Sequence, residues 1–193
     1  ILTTQSLQEW QEVASKFPRG GLPSESMLQS FPDSWQKSFN LGVLAMSGGD
    51  YDKSERYFRA CLQAEPSFIF AQLCLAETFT AQKLWDEAAD AYSKCLELVE
   101  ESGEKWKEHA AGVTLNPSRW PTPGQLYLNR AICHYHGKKR KQAHDDVVTA
   151  AGLLEKETPV VPGHVATATA LQEATHAHGG GGTMGGMPMG MGG

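Results

Sequence analysis

Much of the chemistry that marks enzymes and membrane proteins is missing from this sequence. No apolar run approaches the roughly 18 residues that a membrane-spanning helix requires. There is no G-x-x-x-x-G-K-[ST] loop to cradle a phosphate and no G-x-S-x-G turn to expose a nucleophilic serine. These absences argue against a membrane-spanning chain and against enzymes that use those motifs. We therefore predict no catalytic residues, no cofactor and no metal.

The sequence also lacks a strong charge of either sign. Its 17 Lys and Arg against 22 Asp and Glu give a formal net charge of −5 over 193 residues, too mild to indicate a nucleic-acid-binding surface. The one basic run, GKKRKQ at 137–142, predicts a solvated turn and a helix start. A contact for an acidic partner or a nuclear-import signal is the alternative. Residue 1 is isoleucine, so we expect a longer or processed chain.

What the sequence does contain is an internal repeat. Residues 49–66 (GDYDKSERYFRACLQAEP) and 83–100 (KLWDEAADAYSKCLELVE) fall into register at an offset of 34. Phe58 matches Tyr92, and Cys61 matches Cys95. A weaker third copy follows the second at an offset of 55, so about 21 extra residues separate those two copies. Its matched residues are Ala131, Ala143, Val147 and Ala150.

Each copy of the repeat holds two apolar patterns with helical spacing. In the first copy they span 35–47 and 51–64, where apolar residues recur at intervals of three and four and so share one helix face. Gly48-Gly49-Asp50 separates the two patterns, and Pro66 follows the second. One helical hairpin cannot bury its apolar face alone, whereas a stack of hairpins can. We predict an all-α solenoid of about three hairpins, with Phe58 and Tyr92 in its core.

Helical hairpins with a 34-residue period resemble tetratricopeptide repeats. The resemblance is carried by Leu41-Gly42, Phe58 and Pro66 in the first unit, Leu75-Ala76, Phe79, Ala88 and Tyr92 in the second, and Asn129, Ala131 and Ala143 in the third. Ser54 stands where the family has a small alanine. The resemblance implies that Gly42, Ala76 and Ala131 lie where two helices approach closely.

The repeat boundaries predict six segments along the chain. These are an N-terminal helical cap at 1–34, repeats one and two at 35–102, an insertion at 103–123, repeat three at 124–157, a capping helix within 158–178 and a flexible Gly/Met-rich tail at 179–193. Within the N-terminal cap, helices are predicted at 4–16 and 24–30.

The cysteines and histidines carry little sign of reactive chemistry. The four cysteines form no C-x-x-C pair, and a reducing, cytoplasmic compartment is the simplest expectation. Cys61 and Cys95 occupy equivalent positions in two repeats, which predicts that they are small buried residues at helix contacts. A role in redox chemistry or metal binding is the alternative. His134 and His136 are two residues apart on a helix, so they point to different faces and one metal ion could not easily bind both.

Family resemblance implies a binding site on the concave face, which the first helix of each repeat lines. The inward residues would be Phe39, Val43, Met46, Phe70, Leu73, Glu77, Leu128, Ile132 and Tyr135. Seven of these nine are Phe, Met or aliphatic, and only Glu77 is charged. The alternative is that the insertion or the capping segments fill this groove from within the chain.

These features predict a non-enzymatic scaffold or adaptor that binds a peptide or helix of a protein partner, as a subunit of a larger assembly. No nucleic-acid partner and no membrane span are expected. A cochaperone of the heat-shock proteins Hsp70 and Hsp90 is the alternative, and an enzyme is a third. Family members that bind the terminal carboxylates of heat-shock chaperones use Lys and Asn where this chain has Phe39 and Val43. Their basic pair falls here on Gln125 and Asn129.

Overall fold

The computed structural model describes residues 24–103, 122–157 and 162–176, and within these ranges the chain forms eight α-helices and no strand. The predicted helix at 4–16, most of the insertion and the tail at 179–193 lie outside the described residues. The predicted all-α class is confirmed. The helices are α1 (Glu25–Gln29), α2 (Trp35–Ser47), α3 (Tyr51–Ala64), α4 (Ile69–Ala81), α5 (Trp85–Ser102), α6 (Pro123–His136), α7 (Arg140–Leu154) and α8 (Pro162–His176).

The helix bounds repeat with the offsets found in the sequence. The helices α4 and α5 begin 34 residues after α2 and α3, and α7 begins 55 residues after α5. Three hairpins result, α2/α3, α4/α5 and α6/α7, and each packs against the next through its neighbouring helices. The helix α8 packs against both α7 and α6, so it takes the place that the first helix of a fourth hairpin would have.

The start of α6 is set by a capping box. Thr122 Oγ1 accepts a hydrogen bond from Gln125 N (3.2 Å), and Gln125 Oε1 accepts one from Thr122 N (3.4 Å). Pro123 follows at the first helical position, where its missing N–H removes no helical hydrogen bond. The sequence predicts Pro123 in the insertion at 103–123, but Pro123 is the first residue of α6.

The helix α4 is the centre of the stack. Ten of its 13 residues are buried, because α2, α3 and α5 all contact it. Phe58 and Tyr92, the predicted core residues, have only 0% and 3% of their surface exposed, which confirms that prediction. The close approach predicted at Gly42 is also observed: a Cβ on Gly42 would lie 2.6 Å from Cε1 of Phe58.

Ser54 departs from the family pattern and is nevertheless fully buried. Its Oγ lies 3.3 Å from Oγ1 of Thr78 on α4, and Thr78 Oγ1 donates to the carbonyl of Cys74 at 2.8 Å. The hydroxyl is therefore satisfied by hydrogen bonding across the α3/α4 interface, which removes most of the cost of burying it.

The turn inside each hairpin places one residue in the left-handed region. Gly49, Lys83 and Lys138 have φ angles of 78°, 61° and 62°, and they occupy equivalent positions in the three hairpins. Gly137, one residue before Lys138, has φ −73° instead. Two of the three turns therefore carry a lysine where a residue without Cβ would be relaxed.

Lys83→Gly is expected to raise the free energy of unfolding by about 0.5–1 kcal/mol. The left-handed conformation costs a residue with a Cβ roughly 1–2 kcal/mol, and the greater freedom of glycine in the unfolded chain offsets part of the gain. Urea denaturation followed by circular dichroism measures the change. Gln82→Gly is the matched control: Gln82 has φ −79°, so that variant should gain nothing. Equal effects at both positions would contradict the role of the φ angle.

Candidate partner-binding groove

The nine residues predicted from sequence differ in how much surface they offer. Four of them, Phe39, Phe70, Leu73 and Leu128, are buried, with 2–7% of their surface exposed. Val43, Met46 and Ile132 are half-buried, and Glu77 and Tyr135 are exposed. The buried four belong to the hydrophobic core of this chain. Contact of the nine residues with a partner stays a prediction.

An aromatic cluster lies beneath the first half of this face. At its centre is Phe68, only 1% exposed, whose ring meets that of Phe39 edge to face at a centroid distance of 5.0 Å. The rings of Trp35 and Phe70 lie 4.8 and 5.7 Å from Phe68. Phe68 is not among the residues predicted from sequence, because it stands in the linker before α4. A large aromatic residue in so short a linker is the signal that could have identified it, since such a ring usually docks.

An open apolar groove lies between α6 and α8. Its volume is about 510 Å³. We call it the α6/α8 groove. It includes two of the nine predicted residues, Ile132 and Tyr135, on its α6 side. The lining side chains are Ile132, Tyr135, His136, Ala166, Thr167, Ala170, Leu171 and Ala174.

The shape of the groove follows from the sequence of α8. Ala166, Ala170 and Ala174 recur every four residues and so lie on one helix face, where their short side chains leave room between the helices. From sequence, this helix is predicted only as a cap. The four-residue spacing of the alanines is the signal that could have marked its groove-lining face.

Contacts at both ends of α8 hold it in place. Near the start, Gln125 Nε2 donates to His164 Nδ1 at 3.2 Å; near the end, His144 Nδ1 lies 2.9 Å from Thr175 Oγ1. Between these contacts Ala168 packs in the core with α7, and it is 1% exposed. Because α8 is fixed along its length, the groove between it and α6 is formed without a partner.

The two histidines near the end of α6 face different surroundings, as their spacing predicts. The ring of His136 stacks on Trp85 of α5, with centroids 4.6 Å apart and planes at 21°. Nε2 of His134 instead lies 3.6 Å from Oδ2 of Asp146 on α7. Burial lowers the pKa of His134, although Asp146 acts in the opposite direction. Only His136 lines the groove.

The groove lining is nearly free of charge. Among the described residues, the eight side chains that line it include no Lys, Arg, Asp or Glu. Gln125, at one position of the family's basic pair, is hydrogen-bonded to His164 and to the backbone N–H of Thr122. The groove thus suits an apolar or amphipathic ligand better than an anionic one, because a carboxylate there would lose water without gaining a cation.

The four cysteines are buried and unpaired in disulfides. Burial raises the pKa of Cys61 to about 12, and it also raises the pKa values of Cys74, Cys95 and Cys133. A thiol attacks as its thiolate, so none of the four is activated as a nucleophile. The described part of the chain contains no cluster of three or more His, Cys, Asp or Glu suited to a metal ion. None of the described helices is both long and apolar enough to cross a bilayer.

No protein-family model matches the sequence, and no curated protein matches it either. Solved structures do share its fold. The crystal structure of PcrH in complex with the chaperone-binding region of PopD is 18% identical, with a TM-score of 0.57 over 84% of this chain and 99% of that one. A chain of the CopN–Scc3 complex is 14% identical, with a TM-score of 0.51 over 89% of this chain and 96% of that one. At these identities the likeness shows a common helical fold.

Proposed function

We propose that this chain is a non-enzymatic adaptor of the tetratricopeptide class that holds an apolar or amphipathic segment of a partner protein. The α6/α8 groove is the proposed main contact. In this proposal the chain works in the cytoplasm as a subunit of a larger assembly, and the partner segment is a peptide or a helix.

The observation that carries the proposal is the uncharged groove itself. Burial of apolar surface stabilises a complex by about 25 cal/mol per Å² before the costs of association. An amphipathic helix can place its apolar face against Ile132 and Leu171 while its polar face stays in water. The half-buried Val43 and Met46, with Glu77, extend the proposed contact along the predicted concave face. The buried Phe39, Phe70, Leu73 and Leu128 support that face from beneath.

The structural neighbours support this use of the fold. PcrH was crystallised with a region of PopD that is named for binding a chaperone, and the other neighbour comes from a two-protein complex. We propose the same activity here: this chain binds a segment of another protein.

The cochaperone alternative requires a cationic clamp for the carboxylates of a chaperone tail. Phe39 and Val43 stand where that clamp would place Lys and Asn, and Phe39 is only 2% exposed. Because neither side chain can pair with a carboxylate, we expect an acidic tail peptide to bind weakly and with little dependence on salt.

Ala170→Glu is expected to weaken binding of an amphipathic segment at least tenfold, because it places a carboxylate in the apolar groove. Thr169→Glu is the matched control: it adds the same charge to the adjacent residue, which is exposed and does not line the groove, so affinity should change less than twofold. The probe is a fluorescein-labelled 15-residue peptide whose leucines are spaced alternately three and four residues apart, so that they share one helix face. Fluorescence anisotropy gives its Kd, and circular dichroism checks that both variants keep their helices.

Equal loss of affinity in both variants would contradict the assignment of the groove. Affinity capture with the wild type and the two variants then identifies natural partners as the proteins lost with Ala170→Glu and kept with Thr169→Glu. An acidic peptide serves as the second probe. Micromolar binding of that peptide, abolished by salt, would contradict our proposal and favour a cochaperone.

A further inference from the structure

We propose that residues 179–193 of the same chain dock in the α6/α8 groove and compete there with partner segments. The competition rests on the proposed function, because it needs a partner that uses the groove. The docking does not, because it concerns two parts of this chain alone. Three features carry the inference: where the segment is attached, how far it can reach, and the chemistry it shares with the groove.

The segment is attached at one end of the groove. The start of α8 lies beside the start of α6, as the contact between Gln125 and His164 shows. The end of α8, at His176, is therefore on the side of the groove where Tyr135 and His136 form the last turn of α6. The point of attachment, His176, thus lies at the same end of the groove as Tyr135, which is 36% exposed.

The segment is long enough to return along the groove. Met184 follows His176 by eight residues, and these could extend about 26–29 Å. The 15 residues of α8 span only about 22 Å. Four consecutive glycines, 179–182, lie at the point where the chain would reverse, and glycine is the residue that adopts tight turns most readily.

The chemistry of the segment matches that of the groove. Residues 179–193 (GGGGTMGGMPMGMGG) contain no charged side chain, and their four methionines are their only large apolar residues. On its α8 side the groove is lined by the short side chains of Ala166, Ala170 and Ala174, which leave space between the helices. Methionine is unbranched and flexible, so it fills such gaps better than a rigid or branched side chain.

Attachment to α8 makes even a weak contact effective. A short flexible linker gives an effective concentration in the millimolar range, so a segment with millimolar intrinsic affinity would be docked in about half of the molecules. A partner segment must then displace it. Deleting the segment should raise the affinity for a partner peptide about twofold to fivefold, because the peptide no longer has to displace residues 179–193 from the groove.

The docking is tested without any partner, by NMR of the full chain labelled with ¹³C at the methionine methyl groups. The chain has six methionines, of which Met27 and Met46 lie in the described helices and four lie in the segment. We expect nuclear Overhauser contacts between segment methyls and the ring of Tyr135. Ala170→Glu should abolish these contacts and move the segment signals to the random-coil position, while Thr169→Glu should leave them unchanged.

Each other outcome overturns a part of the inference. Random-coil methyl signals with no contact to Tyr135 in the wild type would overturn the docking, whether or not the amphipathic peptide binds. Contacts that disappear on dilution would show that the segment enters a second copy of the chain, against docking within one molecule. Docking with an unchanged peptide affinity after deletion of 179–193 would overturn the competition. If the proposed function alone were wrong, Ala170→Glu would leave the peptide affinity unchanged, while the wild type would still show the contacts between the segment methyls and Tyr135.

Discussion

Phe58→Ala is expected to lower the free energy of unfolding by about 3–5 kcal/mol. Phe58 is fully buried, its ring lies 5.9 Å from that of Phe39, and it contacts the backbone of α2 at Gly42. Truncation would leave a cavity in the first hairpin that the rigid helices around it cannot close. Chemical denaturation followed by circular dichroism at 222 nm measures the loss. Tyr135→Ala is the control: that ring is 36% exposed, and its loss should cost under about 1 kcal/mol.

A substitution at Gly42, which lies against the Phe58 ring, tests the same packing contact from the other side. In the wild type, Gly42→Ala should lower stability by about 1–3 kcal/mol, because its Cβ would lie 2.6 Å from the Phe58 ring. In the Phe58→Ala background the ring is gone, so the same change should raise stability by up to about 1 kcal/mol through the better helix propensity of alanine. The same sign in both backgrounds would show that the Phe58 ring does not select glycine at position 42.

Asp146→Ala is expected to lower the free energy of unfolding by about 3–5 kcal/mol, because it leaves the Arg130 guanidinium without its carboxylate partner. Arg130 Nε and Nη2 donate to the two carboxylate oxygens of Asp146 at 2.7 and 2.6 Å, and Nη1 donates to Ser93 Oγ at 3.0 Å. The side chains of Arg130 and Asp146 are only 20% and 10% exposed. Hydrogen bonding to Asp146 raises the pKa of Arg130, so the charge remains at any pH of interest. These contacts join α5, α6 and α7.

Two control variants test whether the expected loss of stability comes from burial of the Arg130–Asp146 ion pair. Arg59 Nε lies 2.7 Å from Glu55 Oε1, but that pair is on the surface, so Glu55→Ala should cost less than about 1 kcal/mol. The double variant Arg130→Met with Asp146→Leu removes both charges at once and should lie within about 1–2 kcal/mol of the wild type. Thermal and urea unfolding measure both. A small loss for Asp146→Ala would contradict the proposal that the pair is desolvated.

Sequence periodicity was enough to predict the hairpins. Helix bounds depend on local signals, such as the Gly48-Gly49-Asp50 break and Pro66, and the predicted spans 35–47 and 51–64 coincide with α2 and α3. Core positions such as Phe58 and Tyr92 follow from the same pattern, because an apolar face repeated every 34 residues must be buried against its neighbour. The left-handed turn at Lys138 was missed, since glycine normally marks that conformation and the glycine here stands one residue earlier.

The sequence by itself determined that this chain is a stack of helical hairpins, because helix formation and the burial of one face are set by residues close together in the chain. Only the tertiary structure decided which apolar residues remain accessible. Phe39 and Phe70, two of the residues predicted on the concave face, are buried around Phe68, a linker residue whose position depends on how α3 meets α4. The α6/α8 groove likewise exists because α8 packs against both α6 and α7. That placement depends on contacts between distant residues, such as Gln125 with His164, which a one-dimensional pattern does not contain.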